Sequence, residues 1–84
     1  IYWRWIIMPN YIYDIGDIVK LSDNNIGLIT GLTNACEYMA IDASLKETLI
    51  QFYMNIPIYK VIINSTISYI DESNIKELLC KVGR

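Results

Sequence analysis

The sequence predicts a mainly β fold, in which five short strands form a small barrel with an insertion between the second and third strands. Three observations support this prediction. Apolar and polar residues alternate over short stretches, β-branched and aromatic residues are frequent in those stretches, and clusters of Gly, Asn, Asp and Ser separate them. The 84-residue chain is 54% apolar. That content allows one modest core and is too high for a disordered segment.

The first two strands are predicted on either side of a strong turn signal. The first, 17–21, follows a turn at Gly16, where the chain needs conformational freedom. The polar run 22–25 favours a tight turn, because Asp and Asn tolerate left-handed backbone conformations. The second strand, 26–32, carries two glycines. Glycine inside a strand indicates a bulge or a sharp corner.

The insertion, 33–57, has two interpretations that the sequence leaves open. Ser44 and Glu47 have the spacing of a capping box, which predicts the start of a helix. One face of that helix would carry Leu45, Leu49, Phe52 and Tyr53. The rival interpretation is a hairpin with strands at 37–41 and 48–54, where aromatic and β-branched residues alternate with others.

The last third of the chain has a clearer pattern. A strand is predicted at 58–63, a tight turn at Asn64-Ser65 and a returning strand at 66–70. The polar run 71–74 suits one turn of 3₁₀ helix. The stretch 75–79 forms a brief closing strand or begins a helix.

Closing five strands on themselves would remove the exposed edges that a flat sheet leaves. Each strand should then contribute at least one large apolar side chain to the interior. The residues expected there are Ile18 or Val19, Leu28 or Ile29, Val61, Ile67 and Ile75.

Two parts of this pattern resemble a known fold family. A "GDIV" strand at 16–19 and a Gly-x-Ile-x-Gly strand at 27–31 precede Tyr59-Lys60-Val61 and a short acidic turn before the final strand. The arrangement resembles the SH3-like small β-barrel common in bacterial and phage proteins, over about 14–32 and 58–79. The resemblance implies a fold and no particular activity, since such barrels carry many unrelated functions.

The first seven residues are predicted to be a translated leader, with a single domain covering 8–84. Trp3-Arg4-Trp5 can be encoded by a purine-rich run that resembles a bacterial ribosome-binding site, a few nucleotides before a start codon at Met8. Abundant Ile, Asn, Tyr and Lys suggest an AT-rich coding sequence. Together these features point to a low-GC bacterium or one of its phages.

Several classes of chemistry are disfavoured by composition. The chain has no His, which removes the most common general base and zinc ligand, and with it Ser-His and Cys-His nucleophile pairs. Asp14 and Asp17 flank the first predicted turn, and Asp71 and Glu72 lie in the last one. All four are interpreted as solvated turn residues. We therefore expect no catalytic residues, no metal site and no cofactor.

The charge and the cysteines place the chain among small cytoplasmic proteins. The formal charge is −2 and the five lysines are scattered, so nucleic acid is a disfavoured partner. Cys36 and Cys80 are far apart, without a signal peptide, and are expected to be reduced thiols. No apolar run approaches the ~18–20 residues that a membrane span requires.

Aromatic residues are the remaining functional signal. Phe52, Tyr53, Tyr59 and Tyr69 are the predicted interface residues. The first hypothesis is a protein-interaction or assembly module, which binds an unknown protein or a second copy of itself. The alternative is a nucleic-acid-binding barrel. It requires Lys20, Lys60 and Lys76 to gather on one face beside Tyr59 or Tyr69.

Overall fold

The computed structural model describes residues 9–39 and 47–82, and within them five strands and two short helices follow one another. The 3₁₀ turn Glu72–Asn74 precedes the last strand. The elements are β1 (Ile18–Leu21), β2 (Ile26–Asn34), α1 (Ala35–Tyr38), α2 (Glu47–Met54), β3 (Pro57–Ile63), β4 (Thr66–Asp71) and β5 (Ile75–Cys80). The predicted leader and the predicted helix start at Ser44 lie outside the described residues.

The strands form one antiparallel sheet in the order β4-β3-β2-β1-β5. The first four strands pair with their neighbours along the chain, and the last returns to lie beside the first. Among the described residues β4 and β5 do not pair with each other, so the sheet is open and its two edges are these strands. The mainly β prediction with five strands is confirmed.

Local sequence accounts for the turns and the bend. Asn64 and Ser65 have φ values of 51° and 67°, which is the left-handed pair that a two-residue hairpin turn requires. In β2 the pairing with β3 shifts between Ile29 and Gly31, which confirms the bulge that the glycines indicated. Gly27 has a separate role, since a Cβ at that position would overlap the Val61 side chain.

The described residues between β2 and β3 include two helices, as one interpretation of the insertion predicts. The eight residues of α2 replace the alternative strand at 48–54, and α1 includes the first part of the alternative strand at 37–41. The sequence analysis missed α1. Its N-cap is Asn34, whose side chain accepts a hydrogen bond from the Glu37 amide at 2.8 Å.

One face of the sheet carries the hydrophobic core. Its buried members are Val19, Leu21, Ile29, Tyr59, Val61 and Ile75. Four of the expected interior positions are therefore confirmed, and Leu21 and Tyr59 are additions. Ile67 was wrongly placed in the interior: it is 52% exposed, because it lies on the opposite face of β4.

No helix within the described ranges is long and apolar enough to cross a membrane.

Candidate functional site

The four predicted interface residues have different environments. Phe52 is 61% exposed on α2, and its ring makes an edge contact with half-buried Tyr53 at a centroid distance of 5.3 Å. Tyr69 is exposed on β4. Tyr59 has no accessible surface, so it cannot contribute directly to an interface. The structure does not gather these aromatic residues into one cluster.

An apolar row that sequence reasoning missed crosses the outer face of the sheet. Ile18 lies opposite Leu28, Leu28 opposite Ile62, and Ile62 opposite Ile67. Directly opposed residues in antiparallel strands point to the same face of the sheet. Ile18, Leu28 and Ile67 are 36, 40 and 52% exposed, and Ile62 is partly exposed. These four residues, hereafter the apolar row, form a continuous aliphatic strip over four strands.

An open cleft of about 330 Å³ lies beside the apolar row. Its lining residues are Leu32, Thr33, Glu37, Tyr38, Lys60 and Tyr69. The rings of Tyr38 and Tyr69 are 4.9 Å apart and inclined by 34°, while Lys60 lies opposite Tyr69 across the β3–β4 ladder. The Thr33 hydroxyl donates a hydrogen bond to the Glu37 carboxylate at the same cleft.

The α2 helix adds a further apolar surface. None of its side chains from Thr48 to Met54 is buried, and Leu49 and Phe52 are both exposed. Residues three apart lie on the same side of a helix. The insertion therefore presents an uncovered apolar pair to its surroundings.

The three lysines of the nucleic-acid hypothesis are in separate places. Lys20 lies opposite Glu77 in the β1–β5 ladder, and Lys60 lines the cleft. The Lys76 ammonium lies 3.4 Å from the Asn24 side-chain oxygen. Tyr59, one of the two aromatics that they would have to flank, is buried. These contacts give the three lysines no common aromatic neighbour.

Tyr59 is the centre of a tyrosine cluster that ties the N-terminal segment to the sheet. Its hydroxyl accepts hydrogen bonds from the amides of Ile12 at 3.0 Å and Tyr13 at 3.2 Å, and donates one to Glu72 at 2.5 Å. The rings of Tyr11 and Tyr13 each make an edge contact with it at 5.7 Å. Burial, followed by the hydrogen bond to Glu72, raises the pKa of Tyr59 well above its ordinary value.

Asp17 is a second structural centre, and its interpretation as a solvated turn residue is wrong. Its carboxylate is fully buried and accepts hydrogen bonds from the amides of Asp14 at 2.9 Å and Val82 at 3.1 Å, and from the Lys81 ammonium at 3.3 Å. Mainly because of the Asp14 amide, with help from Val82 and Lys81, the pKa of Asp17 is lowered despite burial. Lys81 also lies 3.2 Å from the Asp14 carboxylate.

The other predicted turn acids are also engaged. Asp71 caps the 3₁₀ turn by accepting a hydrogen bond from the Ser73 amide at 2.9 Å. The Glu72 carboxylate accepts the hydrogen bond from the Tyr59 hydroxyl. Within the described residues, no group of three or more His, Cys, Asp or Glu side chains could hold a metal ion. These carboxylates thus have structural partners.

Comparisons with protein-family models, curated proteins and solved structures give no match for this chain. The assignment of a surface therefore rests on the geometry above. The apolar row, the cleft and α2 are the exposed features that a partner could cover.

Proposed function

We propose that this chain is a small non-enzymatic binding or assembly module that recognises another protein. The apolar row is the observation that carries this proposal. Contiguous patches of exposed apolar surface mark interaction sites in small proteins. Single exposed apolar residues, by contrast, are common on any protein surface. Because the row is made by register partners on four strands, it is a fixed property of the sheet.

Two aromatic side chains beside the row supply anchors for such a partner. Tyr69 lies on the same face of β4 as Ile67, and its ring contacts that of Tyr38. Aromatic residues contribute a large share of binding energy at protein interfaces. The insertion 33–57 would set partner choice, since its helix α1 contributes Tyr38 to this surface.

An SH3-like barrel is the fold that we propose for this module. The strand order, the bulge in β2 and the 3₁₀ turn before β5 support it. In this form of the fold the 3₁₀ turn connects the two edge strands without pairing them, so the outer edge of β4 stays open. Solution NMR would test the fold through cross-strand proton contacts between β5 and β1, and their absence in an otherwise folded chain would contradict it.

The two free thiols support a cytoplasmic location in a bacterium or phage-infected cell. Cys36 is partly buried, Cys80 is exposed, and neither is in a disulfide. Free thiols are typical of reducing compartments.

A photo-crosslinking amino acid at Leu28 tests the proposed function directly. The same amino acid at Asn74, an exposed polar residue in the 3₁₀ turn, is the matched control. Irradiation in cells of the native host should give discrete protein adducts from position 28, identified by mass spectrometry, and few from position 74. Equal adduct patterns from both positions would contradict an interface on the apolar row.

The Tyr38–Tyr69 pair beside Lys60 favours one second candidate, a nucleic-acid-binding barrel. Tyrosine rings can stack on bases while an ammonium meets a phosphate. Fluorescence anisotropy with a labelled single-stranded oligonucleotide tests this candidate. Binding that weakens with salt and is lost on Tyr69→Ala would support it. No anisotropy change at low salt would dismiss it.

A further inference from the structure

The outer edge of β4 differs from the other edge of the sheet. No strand in the described part of the chain pairs with that side of β4. The strand contains no proline, and its one charged residue, Asp71, is at its end. Native proteins usually protect such edges with charged side chains, prolines or bulges. The opposite edge, β5, carries Lys76 and Glu77 and has irregular pairing with β1. By contrast, β3 and β4 pair over six consecutive positions without a shift.

The hairpin turn determines which backbone groups face this edge. A two-residue turn makes its flanking residues, Ile63 and Thr66, a hydrogen-bonded pair. Hydrogen-bonded and non-hydrogen-bonded pairs alternate along an antiparallel ladder. The amide and carbonyl groups of Ile67 and Tyr69 therefore point away from β3 toward the open edge. Their β3 partners face β2, as the hydrogen bond from the Thr30 hydroxyl to the Lys60 carbonyl at 3.2 Å also indicates.

We propose that β4 pairs with β4 of a second copy of this chain, antiparallel, about a two-fold axis at Ser68. This inference rests on the proposed assembly function and names the partner at the sheet edge. In this register Ile67 of each copy lies opposite Tyr69 of the other, and the two residues exchange both backbone hydrogen bonds. The two-fold axis repeats that pair, which gives four hydrogen bonds.

The side chains are self-complementary in this arrangement. Ile67 and Tyr69 both lie on the outer face, and an aliphatic–aromatic pair is a favourable cross-strand combination. It would extend the apolar row across the axis into the second copy. The Asp71 residues of the two copies would lie at opposite ends of the shared ladder, so their carboxylates would not meet. The formal charge of −2 opposes association only weakly.

The contact area sets the expected strength. Residues 66–70 of each copy share a ladder about 14 Å long, at roughly 3.4 Å per residue. A standard stable interface removes about 800 Å² from each partner, which is more than an edge of this length provides. We therefore expect a reversible dimer whose population rises with concentration.

A disulfide at the axis provides the sharpest test. Ser68 of the two copies would form a non-hydrogen-bonded pair with Cα atoms about 4.5 Å apart, within disulfide range. Ser68→Cys in a Cys36→Ser, Cys80→Ser background should therefore give a covalent dimer on mild oxidation. The matched control is Thr66→Cys on the same strand, whose two copies would be about 14 Å apart. Dimer yield that is equal at the two positions, or absent for Ser68→Cys, overturns the inference.

Sedimentation equilibrium of the full chain provides a second measurement. Its weight-average mass should rise with concentration, and Ile67→Glu should abolish the rise. Ile26→Glu, a change of equal charge at a 57% exposed position of the inner strand β2, should leave it intact. A monomer mass at all concentrations overturns the dimer. A monomeric chain that still forms adducts from position 28 would refute this pairing and preserve the proposed function.

Discussion

Asp17 shows how one buried charge can join two distant parts of a small chain. Its carboxylate receives two backbone amides and one ammonium, from Asp14, Val82 and Lys81. Every buried side-chain polar atom among the described residues has a hydrogen-bond partner, which is the condition under which burial of a charge is tolerated. The first turn and the end of β5 are therefore stabilised together.

The substitution Asp17→Asn tests the contribution of these hydrogen bonds to stability. Because the pKa of Asp17 is lowered on folding, its contribution is complete above the unfolded value of about 3.9 and is lost as the pH falls through the lower folded value. At neutral pH we expect the variant to lose about 1.5–3 kcal/mol of unfolding free energy, the cost of hydrogen bonds to a charged group. Urea unfolding should show that the difference in unfolding free energy between the variant and the natural chain becomes smaller as the pH is lowered.

The control for this pH series is Asp23→Asn, which makes the same charge change at an exposed turn residue. Its unfolding free energy should stay within about 0.5 kcal/mol of the natural chain. A pH-independent difference for Asp17→Asn would show that lost geometry, rather than lost charge, causes the destabilisation.

Tyr59→Phe tests the tyrosine cluster in a similar way. The change keeps the ring contacts but removes the acceptor that the Ile12 and Tyr13 amides share. The Ile12 amide keeps a second acceptor, the Glu72 carboxylate at 3.2 Å, whereas no second acceptor is seen for the Tyr13 amide in the described residues. We expect a loss of about 1–3 kcal/mol of unfolding free energy, with faster hydrogen exchange at the Tyr13 amide. Tyr13→Phe, which keeps its ring contact with Tyr59, should stay close to the natural chain. Equal stability of the two variants would contradict the role assigned to the Tyr59 hydroxyl.

Among the elements, the β3–β4 hairpin agrees best with local sequence rules. Its two turn residues adopt left-handed conformations, and its six pairs follow without a shift. Asn tolerates such a conformation well, whereas Ser does so at a cost of roughly 1 kcal/mol or more. The turn thus contains one residue that is not optimal for its backbone.

Ser65→Gly should therefore stabilise the hairpin. Glycine adopts positive φ without steric cost, and Asn-Gly is the preferred pair for this turn. After the entropy that glycine adds to the unfolded chain, we expect a gain of about 0.5 kcal/mol and a small rise in melting temperature by calorimetry. Ser68→Gly inside β4 should instead destabilise the chain by about 0.5–1 kcal/mol. A lower melting temperature for Ser65→Gly would mean that the Ser65 side chain contributes an unrecognised interaction.

The whole molecule divides its apolar residues between a core and an exposed surface. The buried cluster lies on one face of the sheet, while the apolar row and the exposed residues of α2 lie elsewhere. Burial at the core contributes to stability in proportion to apolar area removed from water, whereas the exposed set contributes little to folding. Its physical consequence is a tendency to associate.

Phe52→Ser and Val61→Ala should separate these two roles. Phe52 is 61% exposed, so its replacement should change unfolding free energy by no more than about 0.5 kcal/mol while reducing binding of an apolar dye or of the captured partner. Val61 is fully buried, and its truncation should cost about 1–3 kcal/mol. Substantial destabilisation by Phe52→Ser, measured by urea unfolding, would show that α2 is part of the folded core.

The sequence by itself determined the strand pattern, the turns, the glycine bulge and most of the core. These features depend on residues adjacent in the chain, through side-chain alternation and backbone preference. Only the tertiary structure decided that Asp17 and Tyr59 are buried and that Ile67 is exposed. It also decided that Ile18, Leu28, Ile62 and Ile67 lie side by side. The reason is that most of these contacts join residues far apart in the chain. Ile18 and its partner Leu28 are 10 residues apart, and Asp17 and the Val82 amide are 65 apart.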